Sequence, residues 1–344
     1  MDMTGQPIDF VIPWVDGSDP AWLEQKREYL QGEEARQAKA YGLIDAKDSR
    51  YRDWDNLQYW FRGVEKFAPW VRTIHFVTWG HVPAWLNTEN PKLHIVGHED
   101  YIPAEYLPTF SSHPIELNFH RIEGLAEQFV YFNDDFFLTA PVEPEDFFRD
   151  GLPCDSAVED PIQLPGSAFW NSIRLNDTMF ASRHFSRNGV KKQHPDKWYP
   201  RCSPKDAIKN KVMSTVHKDH FFGLAIYHLP QPFLKSTLEA VWALEPELME
   251  QTSSHRFRDR RDVSQYVFKY YQLLSGNFCP VDMRKMGRAF NDGWKPEDAA
   301  RAIETGQYKM ICINDSDGVE FETARDMVNG VFQKLLPEKS SFEK

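Results

Sequence analysis

Three apolar runs in this chain each end in a small cluster of acidic and amide residues. They are Phe10-Val-Ile-Pro-Trp-Val-Asp-Gly-Ser-Asp19, Phe129-Val-Tyr-Phe-Asn-Asp-Asp135 and Met310-Ile-Cys-Ile-Asn-Asp315. Short β-branched and aromatic runs read as buried strands, and in open α/β sheets ligands gather outside the carboxyl ends of such strands. Carboxylates crowded there repel one another and resist desolvation, so a positive charge is expected among them. A divalent cation bridging a diphosphate meets that need. The chain reads as an α/β enzyme built around a metal–phosphate site.

Strand and helix signals alternate through the first part. A strand near Phe10–Val15 leads to Asp19-Pro20, a good helix start, because Asp caps and Pro fits the first turn. Helices are predicted over Ala21–Leu30 and Asn56–Phe67, strands over Thr73–Thr78 and Lys92–Val96, a helix over Ile115–Ala126 and a strand over Gln128–Phe132. Connections this long favour a mainly parallel sheet flanked by helices. Beyond Pro141 the chain becomes proline-rich, then mostly helical from Ala168 to Gly276, with amphipathic helices expected at Phe233–Met249 and Val263–Leu274. A last strand (Tyr308–Ile313) and helix (Phe321–Leu336) bring the third acidic end back, and that strand is expected to re-enter the first sheet. Three parts follow: residues 1–140 as the nucleotide- and metal-binding core, 141–280 as a largely helical insertion with the acceptor side, and 281–344 returning to the core.

With 344 residues and 41% apolar content the chain can bury a full core. Its net charge of −11 disfavours non-specific binding to nucleic acid or anionic lipid. One stretch runs against that balance: Arg183, Arg187, Lys191, Lys192, Lys197, Arg201, Lys205, Lys209 and Lys211 are opposed only by Asp196 and Asp206. It reads either as a solvated basic loop or as a landing strip for an anionic acceptor. Cys154, Cys202, Cys279 and Cys312 form no C-x-x-C pair, so neither structural zinc nor a disulfide framework is expected. No segment resembles a leader or a membrane span, which points to a cytoplasmic setting with any membrane association peripheral.

The chemistry-bearing candidates lie at the strand ends. In Trp14-Val-Asp-Gly-Ser-Asp-Pro20, Gly17 permits a tight turn and the following helix start suits phosphate. A turn with an N-cap explains Asp19 well, leaving Asp16 as the better ligand candidate. Asn133-Asp134-Asp135 is the stronger cluster, since magnesium needs only one or two carboxylates besides waters and substrate phosphates. Asn314-Asp315 repeats it in weaker form. Acid–base candidates are His120, followed by Arg121, and His228 before Leu-Pro-Gln-Pro; Thr252-Ser-Ser-His-Arg-Phe-Arg258 supplies guanidinium forks for phosphate oxygens.

Together these blocks resemble the Stealth family, which comprises bacterial capsular polysaccharide phosphotransferases and the eukaryotic N-acetylglucosamine-1-phosphotransferase. The resemblance runs in order through Ile8–Trp22, Arg50-Tyr-Arg-Asp-Trp-Asp55, Leu107-Pro-Thr-Phe-Ser-Ser112, His120-Arg-Ile122, Tyr131–Asp135, His228-Leu-Pro230, Thr252–Arg258, Cys312–Asp315 and Pro337-Glu-Lys-Ser-Ser-Phe-Glu343. It implies a fold similar to the GT-A glycosyltransferases and transfer of a sugar-1-phosphate from a UDP-sugar to a saccharide hydroxyl, with release of UMP and dependence on Mg²⁺ or Mn²⁺. The matching positions implied to line the site are Asp16, Asp19, Asp55, His120, Arg121, Asn133, Asp134, Asp135, His228, Arg258, Asn314 and Asp315. On phosphoryl-transfer logic Asp134 or Asp135 holds the metal, Arg258 with Arg121 stabilises the phosphoryl oxygens, and His228 or His120 deprotonates the acceptor. The sequence does not choose between the two histidines. Residues 52–56 depart from the family pattern, which usually has Asn between the aspartates and Glu after them; if that Asn or Glu contacts the sugar, a different donor preference is expected here. The compact length points to the bacterial type and to capsule or exopolysaccharide synthesis. The alternatives are a metal-dependent glycosyltransferase releasing UDP and a non-catalytic glycan-binding protein.

Overall fold

The computed structural model describes residues 5–47, 51–162, 169–198, 204–216, 219–291, 293–315 and 318–344. Its centre is a five-stranded sheet in the order Leu93–Gly97, Ile74–Thr78, Ile8–Trp14, Gln128–Tyr131, Gln231–Leu234. The first four run parallel, with Phe10 opposite Ile74 on one side and Val130 on the other; the last pairs antiparallel to Gln128–Tyr131. Both faces are buried, which is why these strands read as continuous apolar runs. Side chains alternate across them. Phe10, Ile12, Phe76 and Val130 pack under the helix Leu57–Phe67. Val11, Val77, Phe129 and Tyr131 face the helices Lys235–Leu244 and Tyr266–Ser275 through Leu238, Val241, Val267 and Phe268. The fold is α/β with a mainly parallel central sheet.

Three expectations are corrected. Met310–Ile313 does not join the first sheet: it lies between Gly287–Phe290 (parallel) and Phe136–Leu138 (antiparallel) in a second sheet. The reason is the turn at Asn133–Asp135, where the Phe136 N–H bonds the Asn133 carbonyl at 3.1 Å and a new strand starts. The helix expected over Ile115–Ala126 is a short one, Ser112–Leu117, followed by a 3₁₀ turn at Phe119–Arg121. Asn118 donates its side-chain amide to the Pro114 carbonyl at 2.8 Å, a local bond that competes with helix propagation. Finally, Phe233 belongs to the edge strand Gln231–Leu234, and the helical run after it is split into Lys235–Leu244 and Pro246–Ser254. Pro246 lacks the N–H that would continue the first helix.

The helices Phe169–His184, Arg187–Gln193 and Pro195–Trp198 close a further cluster around Ala181, Val190, Trp198, Phe221 and Tyr270, and the helix Pro204–Val216 lies outside it with Ile208 and Val212 exposed. Much of the basic stretch is consumed here. Arg187, 1% exposed, and Lys191 both pair with Glu159; Arg183 pairs with Glu245, Lys209 with Asp160, and Lys197 donates to the Gly276 and Phe278 carbonyls. Arg201 and Cys202 lie outside the described residues. These five cations therefore hold the helical region together rather than forming an open strip. Among the described residues no helix is long and apolar enough to cross a membrane.

Candidate active site

The carboxyl ends of both sheets open onto one cleft of about 520 Å³. Asn133, Asp134 and Asp135 reach it from the turn joining the sheets, and the Ile313 N–H bonds the Asp135 carbonyl at 2.9 Å, so the third acidic end docks directly on the second. Asp53, Glu116, His228, Arg258, Asn314 and Asp315 complete this end of the cleft.

Asp135 is half-buried. Its Oδ2 accepts from the Cys312 thiol at 3.3 Å and lies 4.0 Å from His228 Nε2, whereas its Oδ1 is buried without a hydrogen-bond partner among the described residues. Desolvation, then the charge of Asp134, pushes the Asp135 carboxyl well up. Desolvation, then the charge of Asp53, does the same to Asp134, and the Arg258 guanidinium only partly offsets either effect. Asp134 is open to the solvent of the cleft, so for this residue the repulsion between carboxylates is the firmer cause. Asp53 is pushed up in turn by desolvation and by the charges of Asp55 and Asp16, and because its side chain is exposed the two neighbouring carboxylates are the firmer cause. An orphaned carboxylate oxygen beside a repelling neighbour is an arrangement that a divalent cation completes. The Cys312 thiol, pushed well above its usual range by burial and by Asp135, remains a hydrogen-bond donor rather than a thiolate ligand. Asp134 and Asp135 thus fit a divalent metal held by oxygen.

His228 sits in the left-handed region at φ 50°, where a residue with a Cβ is uncommon and strain tends to mark function. Its ring stands edge-on to Phe136 at 5.0 Å, its Nδ1 is 3.1 Å from the Tyr266 hydroxyl, and its Nε2 faces Asp135. Arg258 occupies a two-residue strand, Arg258–Asp259, paired with Ile44–Asp45. One guanidinium nitrogen donates to Ser112 Oγ at 2.9 Å. The segment around it is anchored by Asp262, which is fully buried and bonded to His255 Nδ1 at 2.6 Å and His113 Nδ1 at 2.8 Å. Asp259 is taken by Arg261 at 2.7 and 2.8 Å, so this second His–Asp cluster is already internally satisfied.

The other sequence candidates are placed less uniformly. Asn133 lines the cleft with its Oδ1 against the Tyr131 hydroxyl. Asn314 and Asp315 line it too, but Asp315 is gripped by Arg52 at 2.8 and 2.6 Å, and Asn314 contacts Asn291. Asp16 accepts from the backbone and hydroxyl of Ser18 at 2.8 and 2.6 Å. With Asp55 it faces an adjoining cavity of about 500 Å³ that shares Trp14, Asp53, Asn56 and Leu57 with the main cleft. Gly17 is required sterically, since a Cβ there would overlap the Tyr51 carbonyl oxygen. Asp19 lines neither cavity; it caps the helix Pro20–Gln31 through the N–H groups of Ala21 and Trp22 at 2.9 Å. His120 and Arg121 also lie outside both cavities. The helix expected to aim them at the cleft stops at Leu117, and both pack on Trp242, at 5.5 Å and 4.8 Å. Burial, then Arg121, pushes the His120 imidazole down to about 4.

Several cleft residues were not singled out from the sequence: Asp53, Glu116, Trp170, Arg174, Gln265 and Tyr266. Asp53 lies in the same Asp-Trp-Asp block as Asp55, yet Asp53 lines both cavities and Asp55, in the left-handed region at φ 52°, lines the adjoining one alone. The other five carry no local signal, because their place depends on packing between distant elements.

The comparisons with known proteins bear on the whole chain. The family profile for Stealth protein CR1, conserved region 1, matches residues 6–34, and that for Stealth protein CR2, conserved region 2, matches residues 50–154. The receptor polysaccharide phosphotransferase WefC of Streptococcus oralis is 40% identical over 347 residues, covering 98% of this chain and 99% of the relative. The capsular polysaccharide phosphotransferase WcwK of Streptococcus pneumoniae is 40% identical over 98% and 99% of the two chains. The exopolysaccharide phosphotransferase cps2G of Lactiplantibacillus plantarum is 37% identical over 98% and 96%. Among solved structures, the galactosyltransferase LgtC with donor and acceptor sugar analogues is a distant likeness, with a TM-score of 0.36 and 11% identity over 94% of this chain and 95% of that one. By both conserved regions and near full-length identity, the chain belongs to the Stealth family of phosphotransferases.

Proposed function

We propose that this enzyme transfers a sugar-1-phosphate, a hexose or N-acetylhexosamine 1-phosphate, from a UDP-sugar to a saccharide hydroxyl, releasing UMP, in capsule or exopolysaccharide biosynthesis. The observation that carries this reading is the convergence of Asp134, Asp135, Arg258 and His228 on one cleft, with a carboxylate oxygen of Asp135 left for a cation. When bound by Asp134 and Asp135, Mg²⁺ or Mn²⁺ supplies the charge that neutralises the diphosphate. Arg258 spends one N–H on Ser112 and has the rest of its fork for the oxygens of the transferring phosphoryl group. His228 serves as the base in the tautomer that donates Nδ1–H to the Tyr266 oxygen, 3.1 Å away, since that tautomer carries its lone pair on Nε2. The acceptor hydroxyl gives its proton to Nε2 as its oxygen attacks the sugar-linked phosphorus. The bond to the bridging oxygen breaks, and UMP departs with the electron pair. His228 is preferred over His120 because only His228 lines the cleft.

The test is an assay of purified protein with Mg²⁺, a panel of UDP-sugars and a saccharide acceptor, resolving the nucleotide products. Acceptor-dependent UMP is expected. UDP in its place would make the enzyme a glycosyltransferase and overturn the proposal.

A further inference from the structure

Among the described residues, three cleft-lining side chains carry a buried polar atom with no hydrogen-bond partner: Asp135 Oδ1, Arg174 Nε and Gln265 Oε1. The cation accounts for the first. The other two belong to a different wall, made where the helix Phe169–His184 packs on the helix Tyr266–Ser275. Gln265 is only 6% exposed, and leaving such a group unpaired costs stability unless a ligand supplies the bond. Arg174 is steadied by Asp160, 3.5 Å from its Nη2. On the same wall Trp170 keeps 38% of its surface exposed and stands edge-on to Tyr266, with ring centroids 5.9 Å apart. Tyr266 is the residue that holds His228 at 3.1 Å.

We propose that Trp170, Arg174 and Gln265 form the subsite for a pyranose ring of the acceptor saccharide, a reading that rests on His228 as the base. The apolar C–H face of a pyranose stacks on an indole, as an amphipathic aromatic accommodates such a surface. Its hydroxyls both donate and accept, so they satisfy the Gln265 carboxamide whichever way its oxygen and nitrogen are placed, and they accept from Arg174. The position is also the right one. Trp170 touches Tyr266, Tyr266 is bonded to His228 through Nδ1, and Trp170 and His228 line the same cleft, so a ring stacked on Trp170 shares the cavity of the base. A uracil ring would stack on the same indole, but it has no need to lie beside the proton acceptor.

The subsite is tested by saturation-transfer NMR on the full chain with methyl pyranosides of glucose, galactose, N-acetylglucosamine and rhamnose. At least one is expected to bind without nucleotide and to stay bound when UMP is added. Trp170→Ala and Gln265→Leu should each weaken it roughly tenfold or more, whereas Trp170→Phe, which keeps a stacking face, retains most of the affinity. Asp135→Asn should leave it unchanged. Circular dichroism of each variant separates lost binding from lost folding. Displacement by UMP would make this wall the nucleotide's and overturn the proposal, as would full binding by Trp170→Ala or no binding of the panel by wild type. Pyranoside binding through Trp170 combined with UDP as the product would sink the phosphotransfer reading and leave the subsite standing.

Discussion

At Asp135 one carboxylate oxygen accepts from Cys312, and the other has no partner that the described protein supplies. Asp135→Asn removes a charge that repels Asp134, so the variant should fold at least as stably while turnover falls on the order of 10²–10³-fold. Turnover retained in the presence of Mg²⁺ would take Asp135 out of the metal site. His120 is held near 4 by burial and by Arg121, against an ordinary value of 6.5. Between those values the unfolded chain takes up a proton that the folded chain refuses. Stability is therefore present above pH 6.5 and is lost as the pH falls toward 4. His120→Gln should lose less stability than wild type in urea titrations at pH 5 relative to pH 7; equal losses would remove His120 from the acid response. The adjacent aspartates could be recognised in the sequence because one apolar strand delivers both. The choice between His120 and His228 could not, because it turns on Asn118 ending a helix early and on Tyr266 approaching from another part of the chain.

Elements matter here mainly through their ends. The turn carrying Asp16–Asp19 lies so close to Tyr51 that position 17 tolerates no side chain. Gly17→Ala must displace one of two backbones and should cost about 1–3 kcal/mol by urea denaturation, in line with overpacking elsewhere. A cost under a few tenths would mean that the turn yields freely. Long, largely buried strands such as Ile8–Trp14 announce themselves by composition. Phe136–Leu138 and Gly287–Phe290, of three and four residues, do not, so the sequence carries no signal for a second sheet and its middle strand reads as part of the first.

On the scale of the whole molecule, one buried ion pair ties three regions together. Lys269 from the helix Tyr266–Ser275 contacts both oxygens of Asp155 at 2.6 and 2.7 Å, and Gln231 of the edge strand donates to the same carboxylate at 3.0 Å. Both charged side chains are almost wholly buried. Lys269→Met leaves the Asp155 charge alone in the interior and should cost about 3–5 kcal/mol in equilibrium unfolding, with Lys269→Met/Asp155→Leu recovering a good part of it. A double variant no better than the single would assign the loss to packing.

The join between the sheets also sets an order in time. Among the described residues the strand that follows Asp135 is paired by Met310–Ile313, whose Ile313 N–H bonds the Asp135 carbonyl at 2.9 Å. During synthesis the chain's first strands emerge long before that closing strand exists. A growing polypeptide can therefore pair its first parallel strands early, yet the strand that holds the Asp135 turn in place is made only when Met310–Ile313 has been added.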